Sequence, residues 1–317
     1  MPPFPENAPV TSAATPRSTS APPWGALGLL AVLIFAWGGN YTWISLALRD
    51  VGPWTFTAVR YIGAAVVIGT ALALYRGPGH AMPVRGERAR LAAIGLLQGA
   101  ALTILLTLSL QWIESTHTIL LMYTNPLWAL LWSVLLLGEP FSIASVAGIA
   151  LGLLGMVILT NPLAMPWNAV TIPGVICALA ATIAWALGSV LYRRAKWQST
   201  FWQQVFWQLA VSGIAVAVPA VILEWNHPIR PTPQLIVNTI YNILVPTALA
   251  FWCWSQALTR LRASTASQIL LLSPVFGIVQ SHFVLGEPLT PAVLASAACV
   301  IAGACLTFWR PGAASPR

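Results

Sequence analysis

Long apolar segments follow one another along most of the chain, and they constrain the fold more than any other feature. A helix needs about 20 mainly apolar residues to cross the hydrocarbon core of a bilayer. Ten such segments lie at 25–48, 54–75, 91–112, 116–137, 142–161, 172–192, 202–223, 235–258, 264–285 and 289–309. Nine is the alternative count, because 202–223 begins with several glutamines. The strands of a transmembrane barrel would instead alternate in polarity over about 10 residues, and the sequence has no such pattern.

The composition agrees with a bilayer environment. Only 7% of the 317 residues are charged and 58% are hydrophobic, whereas a soluble domain carries about 25% charged residues. We therefore expect an all-α integral membrane protein surrounded by the lipid bilayer. Residues 1–23 are rich in Pro, Ser, Thr and Ala, which predicts a disordered tail. The tail lacks the basic start and the short apolar region of a signal peptide.

Basic residues are divided unevenly between the two sides of the membrane. If both termini share one side, Arg49 and Arg230 fall on the other, and Arg60 lies inside the second segment. The remaining twelve of the fifteen basic residues share the side of the termini: Arg17, Arg76, Arg85, Arg88, Arg90, Arg193, Arg194, Lys196, Arg260, Arg262, Arg310 and Arg317. The positive-inside rule places that side in the cytoplasm. The sequence thus predicts an inner-membrane protein with both termini cytoplasmic, and the net charge of +8 requires no nucleic-acid partner.

An internal repeat organises the chain. Two Gly-Glu-Pro motifs, Gly138-Glu139-Pro140 and Gly286-Glu287-Pro288, lie 148 residues apart. The same offset relates further residues: Pro126 to Pro274, Gly155 to Gly303 and Trp37 to Trp185. A single register without gaps indicates a duplication, with five segments in residues 24–162 and five in 170–310. Because five crossings bring the chain to the opposite side, the halves must be inverted, an arrangement typical of transporters that open one site alternately to each side.

Each Gly-Glu-Pro motif also has a local structural interpretation. Gly ends a helix in the left-handed conformation, and Pro suits the first turn of the next helix. Glu at that position faces the positive end of the helix dipole. We therefore expect a tight turn with a helix cap at each motif, and a gate or a substrate contact is the alternative interpretation.

Together these features resemble the drug/metabolite transporter superfamily and, within it, the EamA-type exporters. The resemblance covers residues 25–309 and depends on an ensemble in register: Trp37, Arg60, Pro126, Gly138-Glu139-Pro140, Gly155, Trp185, Pro274, Gly286-Glu287-Pro288 and Gly303. It implies ten transmembrane helices as two inverted five-helix repeats. It also implies a central cavity lined by the first, third, fourth, sixth, eighth and ninth helices. The run from Ser115-Thr116-His117 to Tyr123 and Pro126 is similar to bacterial aromatic amino-acid exporters.

Helical spacing and the 148-residue offset select candidate cavity residues. Neighbours on one helix face recur at i+3 and i+4, and polar side chains of membrane helices are expected to face the bundle interior. The selected residues are Trp37, Asn40, Tyr41, Thr103, Tyr123 and Thr124 in the first repeat, and Trp185, Ser189, Phe251, Trp252, Gln268 and Leu272 in the second. A wall of aromatic rings with a few amides suits a small organic substrate. Packing and interhelical hydrogen bonding are the alternative roles.

Three ionisable side chains keep two interpretations each. Arg60 lies inside an apolar segment, where a charge is costly. It binds either a substrate carboxylate or structural groups such as helix-end carbonyls. His117 and His282 stand near the outer ends of the fourth and ninth segments, as packed or solvated histidines or as proton carriers. All seven acidic residues lie in loops or at helix ends, so no buried acid is expected to carry a proton.

The sequence therefore predicts an exporter of small metabolites, above all amino acids or related zwitterions, that works by alternating access with facilitated diffusion or exchange. A proton-coupled exporter of drugs or organic cations is one alternative. A membrane-embedded enzyme is the alternative of another class, but the sequence shows no converging nucleophile, base or metal ligands. The four cysteines lie inside apolar segments without metal-ligand spacing, so neither a metal nor a cofactor is expected. A monomer is compatible with this function.

Overall fold

The computed structural model describes residues 24–77, 81–113, 118, 121–140, 143–160, 171–273, 275–277, 279 and 290–308, and every regular element within them is a helix. The α-helices are α1 (Trp24–Gly38), α2 (Asn40–Ala47), α3 (Pro53–Arg76), α4 (Arg88–Gly95), α5 (Leu102–Ser109), α6 (Asn125–Leu137), α7 (Ile143–Thr160), α8 (Thr171–Arg194), α9 (Phe201–Glu224), α10 (Pro233–Asn242), α11 (Ala250–Arg260), α12 (Ala263–Leu270) and α13 (Pro291–Phe308). A 3₁₀ turn at Arg85–Glu87 precedes α4. Short π-helical stretches at Leu96–Ala101 and Ile243–Leu249 join α4 to α5 and α10 to α11.

Five helices in the described part of the chain are long and apolar enough to cross a membrane: Pro53–Tyr75, Arg85–Ser109, Thr171–Arg194, Phe201–Glu224 and Pro233–Arg260. They overlap the second, third, sixth, seventh and eighth segments expected from the sequence. The glutamines that motivated the count of nine belong to one continuous helix, α9. The first segment is divided into α1 and α2 at Gly39, and α7 and α13 are shorter apolar helices. The count of ten crossings stays a prediction, and residues 1–23 and Gly286-Glu287-Pro288 lie outside the described residues.

Two carboxylates hold the ends of the long helix α9 against helices of the first repeat. Glu224, at the end of α9, accepts hydrogen bonds from the backbone N–H groups of Trp54 (3.1 Å) and Thr55 (2.8 Å) at the start of α3. A carboxylate there satisfies unpaired donors and faces the positive end of the helix dipole. At the opposite end of α9, Glu87, just before α4, accepts from the backbone N–H groups of Gln198 and Ser199. Because the end of α9 meets the start of α3, these two helices run antiparallel, and each Glu lies in the other repeat from the helix end that it binds.

Glycines set the closest approach between α7 and α13. A Cβ atom added to Gly303 would lie 2.6 Å from the carbonyl oxygen of Gly148, and one added to Gly155 would lie 2.7 Å from the carbonyl oxygen of Ser296. Backbones come this close in membrane helices only where small residues face each other. Gly155 and Gly303 are related by the 148-residue offset, so both repeats use this position for close helix contact.

The two π-helical stretches also occupy corresponding places in the two repeats. Adding 148 to residues 96–101 gives 244–249, which coincides with Ile243–Leu249 except for one residue. A π-helical turn widens the helix and leaves a backbone carbonyl available to another partner. The one at Ile243–Leu249 presents the carbonyl oxygen of Pro246 to the Nε1–H of Trp37, at 2.8 Å. This stretch therefore reaches directly into the centre of the bundle.

Candidate functional site

A cavity of about 630 Å³ lies between the two repeats. Its walls come from α1, α2, α3, α5, α6, α8, α11 and α12, together with the π-helical stretch at Ile243–Leu249. Pockets for small molecules typically measure about 300–1,000 Å³. The space is therefore large enough for a modest organic molecule.

The cavity extends toward one end of the bundle. Residues at that end, which we call the mouth end, are exposed and line the cavity: Leu48, Pro53, Leu110 and Gln111. Near the opposite end of α8 and α11, Tyr192, Trp254 and Leu258 are at most 1% exposed. We call that end, where Glu139, Arg193 and Arg262 meet, the sealed end. The cavity thus opens toward the mouth end and is closed by packed side chains toward the sealed end.

Aromatic rings form the inner wall of the cavity. Trp37 of α1 and Trp185 of α8 meet edge to face with ring centroids 5.6 Å apart. Phe251 lies 6.3 Å from Trp37 and 6.0 Å from Trp185, again edge to face, and Trp254 packs behind them, 5.7 Å from Trp185. Edge-to-face contacts of this kind add stability beyond the area that the rings bury. The repeat-related tryptophans therefore contact each other across the boundary between the repeats.

Seven of the residues selected from the sequence line this cavity: Trp37, Asn40, Arg60, Thr103, Tyr123, Trp185 and Phe251. Thr103 shares a 3.1 Å hydrogen bond with the hydroxyl of Tyr61. Asn40 is 6% exposed at the start of α2. The two tryptophans and Phe251 come from α1, α8 and α11, so the cavity does combine side chains of both repeats.

Several other selected residues have protein partners and do not line the cavity. Ser189 is fully buried, accepts a hydrogen bond from Gln98 Nε2 (2.8 Å) and donates one to the carbonyl oxygen of Trp185 (2.8 Å). Thr124 donates to the carbonyl oxygen of Leu121 at 2.6 Å. These contacts correspond to the interhelical and intrahelical bonding roles that the sequence left open.

The remaining selected residues divide into two groups. Gln268 donates from Nε2 to the carbonyl oxygen of Gly303 (2.9 Å), Trp252 stacks on Trp202 with ring centroids 5.3 Å apart, and Leu272 packs beside the buried cluster of Met156, Leu271 and Val300. His117, His282 and the side chain of Tyr41 lie outside the described residues.

Helix α3 contributes a wall that the sequence analysis missed. Pro53, Trp54, Phe56, Thr57 and Tyr61 line the cavity along with Arg60, although the resemblance implied that the second helix takes no part. Pro53, Phe56 and Thr57 recur at helical spacing from Arg60, which places them on one face, and Trp54 and Tyr61 border that face. Extending the face from Arg60 identifies the first three in the sequence.

Arg60 is a cation without a carboxylate partner in the described part of the chain. Its guanidinium carbon lies 5.6 Å from the ring centroids of both Phe56 and Tyr61. Nη1 donates a long hydrogen bond of 3.4 Å to Oδ1 of Asn242, and Nε is buried without an acceptor. Cation–π contacts partly compensate a desolvated guanidinium, but an unpaired donor remains costly. The geometry therefore leaves this cation ready for an anionic group inside the cavity.

The first Gly-Glu-Pro motif forms the turn that the sequence predicts. Gly138 adopts φ 64° and ψ 24°, and its N–H donates to the carbonyl oxygen of Val134 at 3.1 Å. Glu139 forms a hydrogen-bonded ion pair with Arg193 at the end of α8 and lies 3.6 Å from Nε of Arg262. The motif thus ends α6 and also ties the first repeat to the second at the sealed end.

Two stretches of the chain, residues 23–161 and 172–309, match the EamA-like transporter family. A solved crystal structure superimposes with a TM-score of 0.77 and 20% sequence identity, over 90% of this chain and 96% of that chain. At this identity the likeness shows a shared fold.

Named relatives span nearly the same length. The uncharacterized transporter YoaV of Bacillus subtilis (strain 168) is 24% identical over 87% of this chain and 94% of its own length. A probable terminal-alkyne amino-acid exporter of Streptantibioticus cattleyicolor is 26% identical over 89% and 92%. A probable amino-acid metabolite efflux pump of Salmonella typhimurium is 23% identical over 88% and 92%.

Proposed function

Because the chain belongs to the EamA-like transporter family, we propose that it exports amino acids or related zwitterionic metabolites across the cell inner membrane. The observation that carries this proposal is the aromatic cavity with the unneutralised cation Arg60 on its wall. The names of two similar proteins, an amino-acid metabolite efflux pump and an amino-acid exporter, support the substrate class.

Arg60 binds the carboxylate of the substrate in this proposal. A guanidinium matches a carboxylate in geometry and charge, and a ligand carboxylate would supply the acceptor that Nε lacks. The rings of Phe56 and Tyr61 each lie 5.6 Å from the guanidinium carbon, and no acid in the described part of the chain neutralises it. The aromatic wall around Trp37 and Trp185 then accommodates the apolar part of the substrate.

The topology that we propose has ten crossings in two inverted repeats, with both termini in the cytoplasm. Its support is the pair of family matches, the 148-residue offset and the corresponding positions of the π-helical stretches. In this orientation Arg85 and Arg193 lie on the cytoplasmic side, as the positive-inside rule requires. The mouth end then faces outward, and the cavity corresponds to the state from which an exported substrate is released.

Facilitated diffusion or exchange is the mode of transport that we propose. No carboxylate lines the cavity in the described part of the chain, so a buried acid that could couple proton movement to transport has no place there. Alternating access requires only that the sealed end opens when the mouth end closes. A proton-coupled exporter of drugs or organic cations is the competing proposal.

Flux into proteoliposomes tests the function. Purified protein is reconstituted without a pH gradient, and uptake is measured for labelled amino acids, tetraphenylphosphonium and a nucleotide sugar. We expect amino acids to equilibrate, and we expect Trp37→Phe, which loses the hydrogen bond to Pro246, to slow flux several-fold. Trp225→Phe is the matched control because Trp225 is 77% exposed. Transport of the cation alone, or accumulation driven by an imposed pH gradient, would contradict the proposal and favour the competing one.

A further inference from the structure

Three buried polar side chains that line the cavity each have an oxygen atom without a hydrogen-bond partner in the described part of the chain. They are Asn40 through Oδ1, Ser267 through Oγ and Ser273 through Oγ. Their exposed fractions are 6%, 4% and 5%. A buried polar atom without a partner is costly, and native proteins retain few of them. Three such atoms in one cavity therefore point to a ligand that completes their hydrogen bonds.

Asn40 and Ser273 lie beside a close backbone contact. A Cβ atom added to Gly38, the last residue of α1, would lie only 2.4 Å from the carbonyl oxygen of Ser273, and Asn40 follows Gly38 by two residues. Ser267 lies on α12, six residues before Ser273 in the chain, and lines the same cavity. Arg60 lies on α3, a separate wall. The cavity thus has a polar region between α2 and α12 in addition to its cationic region on α3.

The chemistry of the three atoms favours a primary ammonium group. An ammonium group donates three hydrogen bonds and accepts none. The amide oxygen of Asn40 is an acceptor, and both serine hydroxyls accept as well as donate. None of the three is charged, so they would hold a lone cation weakly. They become effective when the same ligand also carries a carboxylate that neutralises Arg60.

We propose that Asn40, Ser267 and Ser273 form an amino-group subsite distinct from the carboxylate subsite at Arg60. This inference rests on the proposed function and makes it more specific: the substrate is an α-amino acid or similar primary-amine zwitterion held at both charged ends. Ligands that lack either end satisfy only one of the two regions. Selectivity for zwitterions over amines and acids follows from the cavity wall itself.

Equilibrium binding with a matched ligand series tests the subsite. The full chain in nanodiscs is titrated with L-phenylalanine, with 3-phenylpropionate, which lacks the amino group, and with 2-phenylethylamine, which lacks the carboxylate. The quenching of tryptophan fluorescence reports binding. Hydrogen bonds to charged groups are worth enough for us to expect about tenfold tighter binding of phenylalanine than of either analogue.

Variants separate the two subsites. Asn40→Leu keeps the branched shape and removes the acceptor, so it should weaken phenylalanine binding about tenfold and leave 3-phenylpropionate unchanged. Arg60→Gln should weaken both carboxylates and leave 2-phenylethylamine unchanged. Asn40→Asp should tighten 2-phenylethylamine binding, a gain that misfolding cannot produce. Ser273→Ala repeats the test from the other element.

The outcomes distinguish failure of the amino-group subsite from failure of the proposed function. If the wild type binds phenylalanine and 3-phenylpropionate equally, or if Asn40→Leu weakens all three ligands alike, the amino-group subsite is wrong although the proposed function stands. If the wild type binds none of the three and transports only organic cations, the proposed function itself fails.

Discussion

Replacing Glu139 with Gln is expected to shift the protein toward the state in which the sealed end is open. Glu139 ends the fourth predicted segment, and both of its cationic partners, Arg193 and Arg262, lie in the second repeat. The 148-residue offset gives Glu287 as its equivalent in the second repeat, with Ser45 and Glu114 in place of the two arginines. The sequence therefore does not repeat this ion-pair cluster, and under the proposed alternating access we expect it to stabilise the state with an open mouth over its alternative.

The size of the shift follows from the exposure and geometry of the cluster. The side chains of Glu139, Arg193 and Arg262 are 14%, 26% and 36% exposed, so solvent screens the cluster only in part. An exposed ion pair is worth about 0.2–1 kcal/mol, and a hydrogen bond to a charged group about 1.5–3 kcal/mol. Arg193 is hydrogen-bonded to Glu139, whereas Arg262 lies beyond hydrogen-bond distance from it. A Gln side chain at position 139 would retain some of the hydrogen bonding. We expect Glu139→Gln to cost the mouth-open state about 1.4 kcal/mol, which is about a tenfold change in the equilibrium between the states.

Cysteine labelling measures that equilibrium. Leu258, fully buried toward the sealed end, is replaced by Cys in a chain whose four native cysteines are replaced by Ser or Ala. Labelling then requires opening of the sealed end, so its rate follows the population of that state. Glu139→Gln should raise the labelling rate about tenfold. The double variant Glu139→Gln/Arg193→Gln should label no faster than the product of the two single-variant effects predicts. Glu287→Gln, for which the offset gives Ser45 and Glu114 instead of arginines, is the control and should change little. An unchanged or slower rate for Glu139→Gln would refute the reasoning.

Two further predictions concern packing and topology. Gly303→Ala should destabilise the protein by about 1–3 kcal/mol, because its Cβ atom would lie 2.6 Å from the carbonyl oxygen of Gly148. Gly28→Ala is the control and should not destabilise it, because no heavy atom lies within 4 Å of the added Cβ atom. Equal melting temperatures of the two variants in detergent would contradict this prediction. Arg85→Cys should resist a membrane-impermeant thiol reagent in intact cells while Asn226→Cys reacts, and the reverse result would overturn the orientation.

Helix positions were accessible from the sequence because apolar length and local capping determine them. The segment expected at 202–223 is α9, bounded by the capping box at Thr200 and by Glu224. The division of the first segment at Gly39 was not foreseen, since Gly also occurs inside continuous membrane helices. The 148-residue offset selects Trp37 and Trp185 as equivalent positions of one cavity, and in the structure their rings meet.

The cavity was harder to predict because equivalent positions carry different residues. Asn40 lines the cavity, but its equivalent is Gly188, where a Cβ atom would lie 2.6 Å from Cγ of Gln98. Gln98 fills that space and bonds to Ser189. The equivalent of Gln98 is Pro246, which has no side-chain donor and offers its carbonyl oxygen to Trp37. The 148-residue offset therefore identifies equivalent positions, and the side chains at those positions determine which of them leave space in the cavity.

This difference between the halves also explains why Asn40 keeps an unsatisfied oxygen whereas the equivalent face of the second repeat does not. On the inner face of α8, Gln98 satisfies Ser189, so this part of the second repeat is already bonded. On the corresponding face of the first repeat, the amide oxygen of Asn40 has no partner among the described residues, and on the separate helix α3 the same holds for Nε of Arg60. A strictly symmetric pair of halves would offer the same groups twice and would bind a symmetric ligand best. An amino acid has two different charged ends, and recognising both requires two different polar regions, which an asymmetric cavity within a duplicated framework provides.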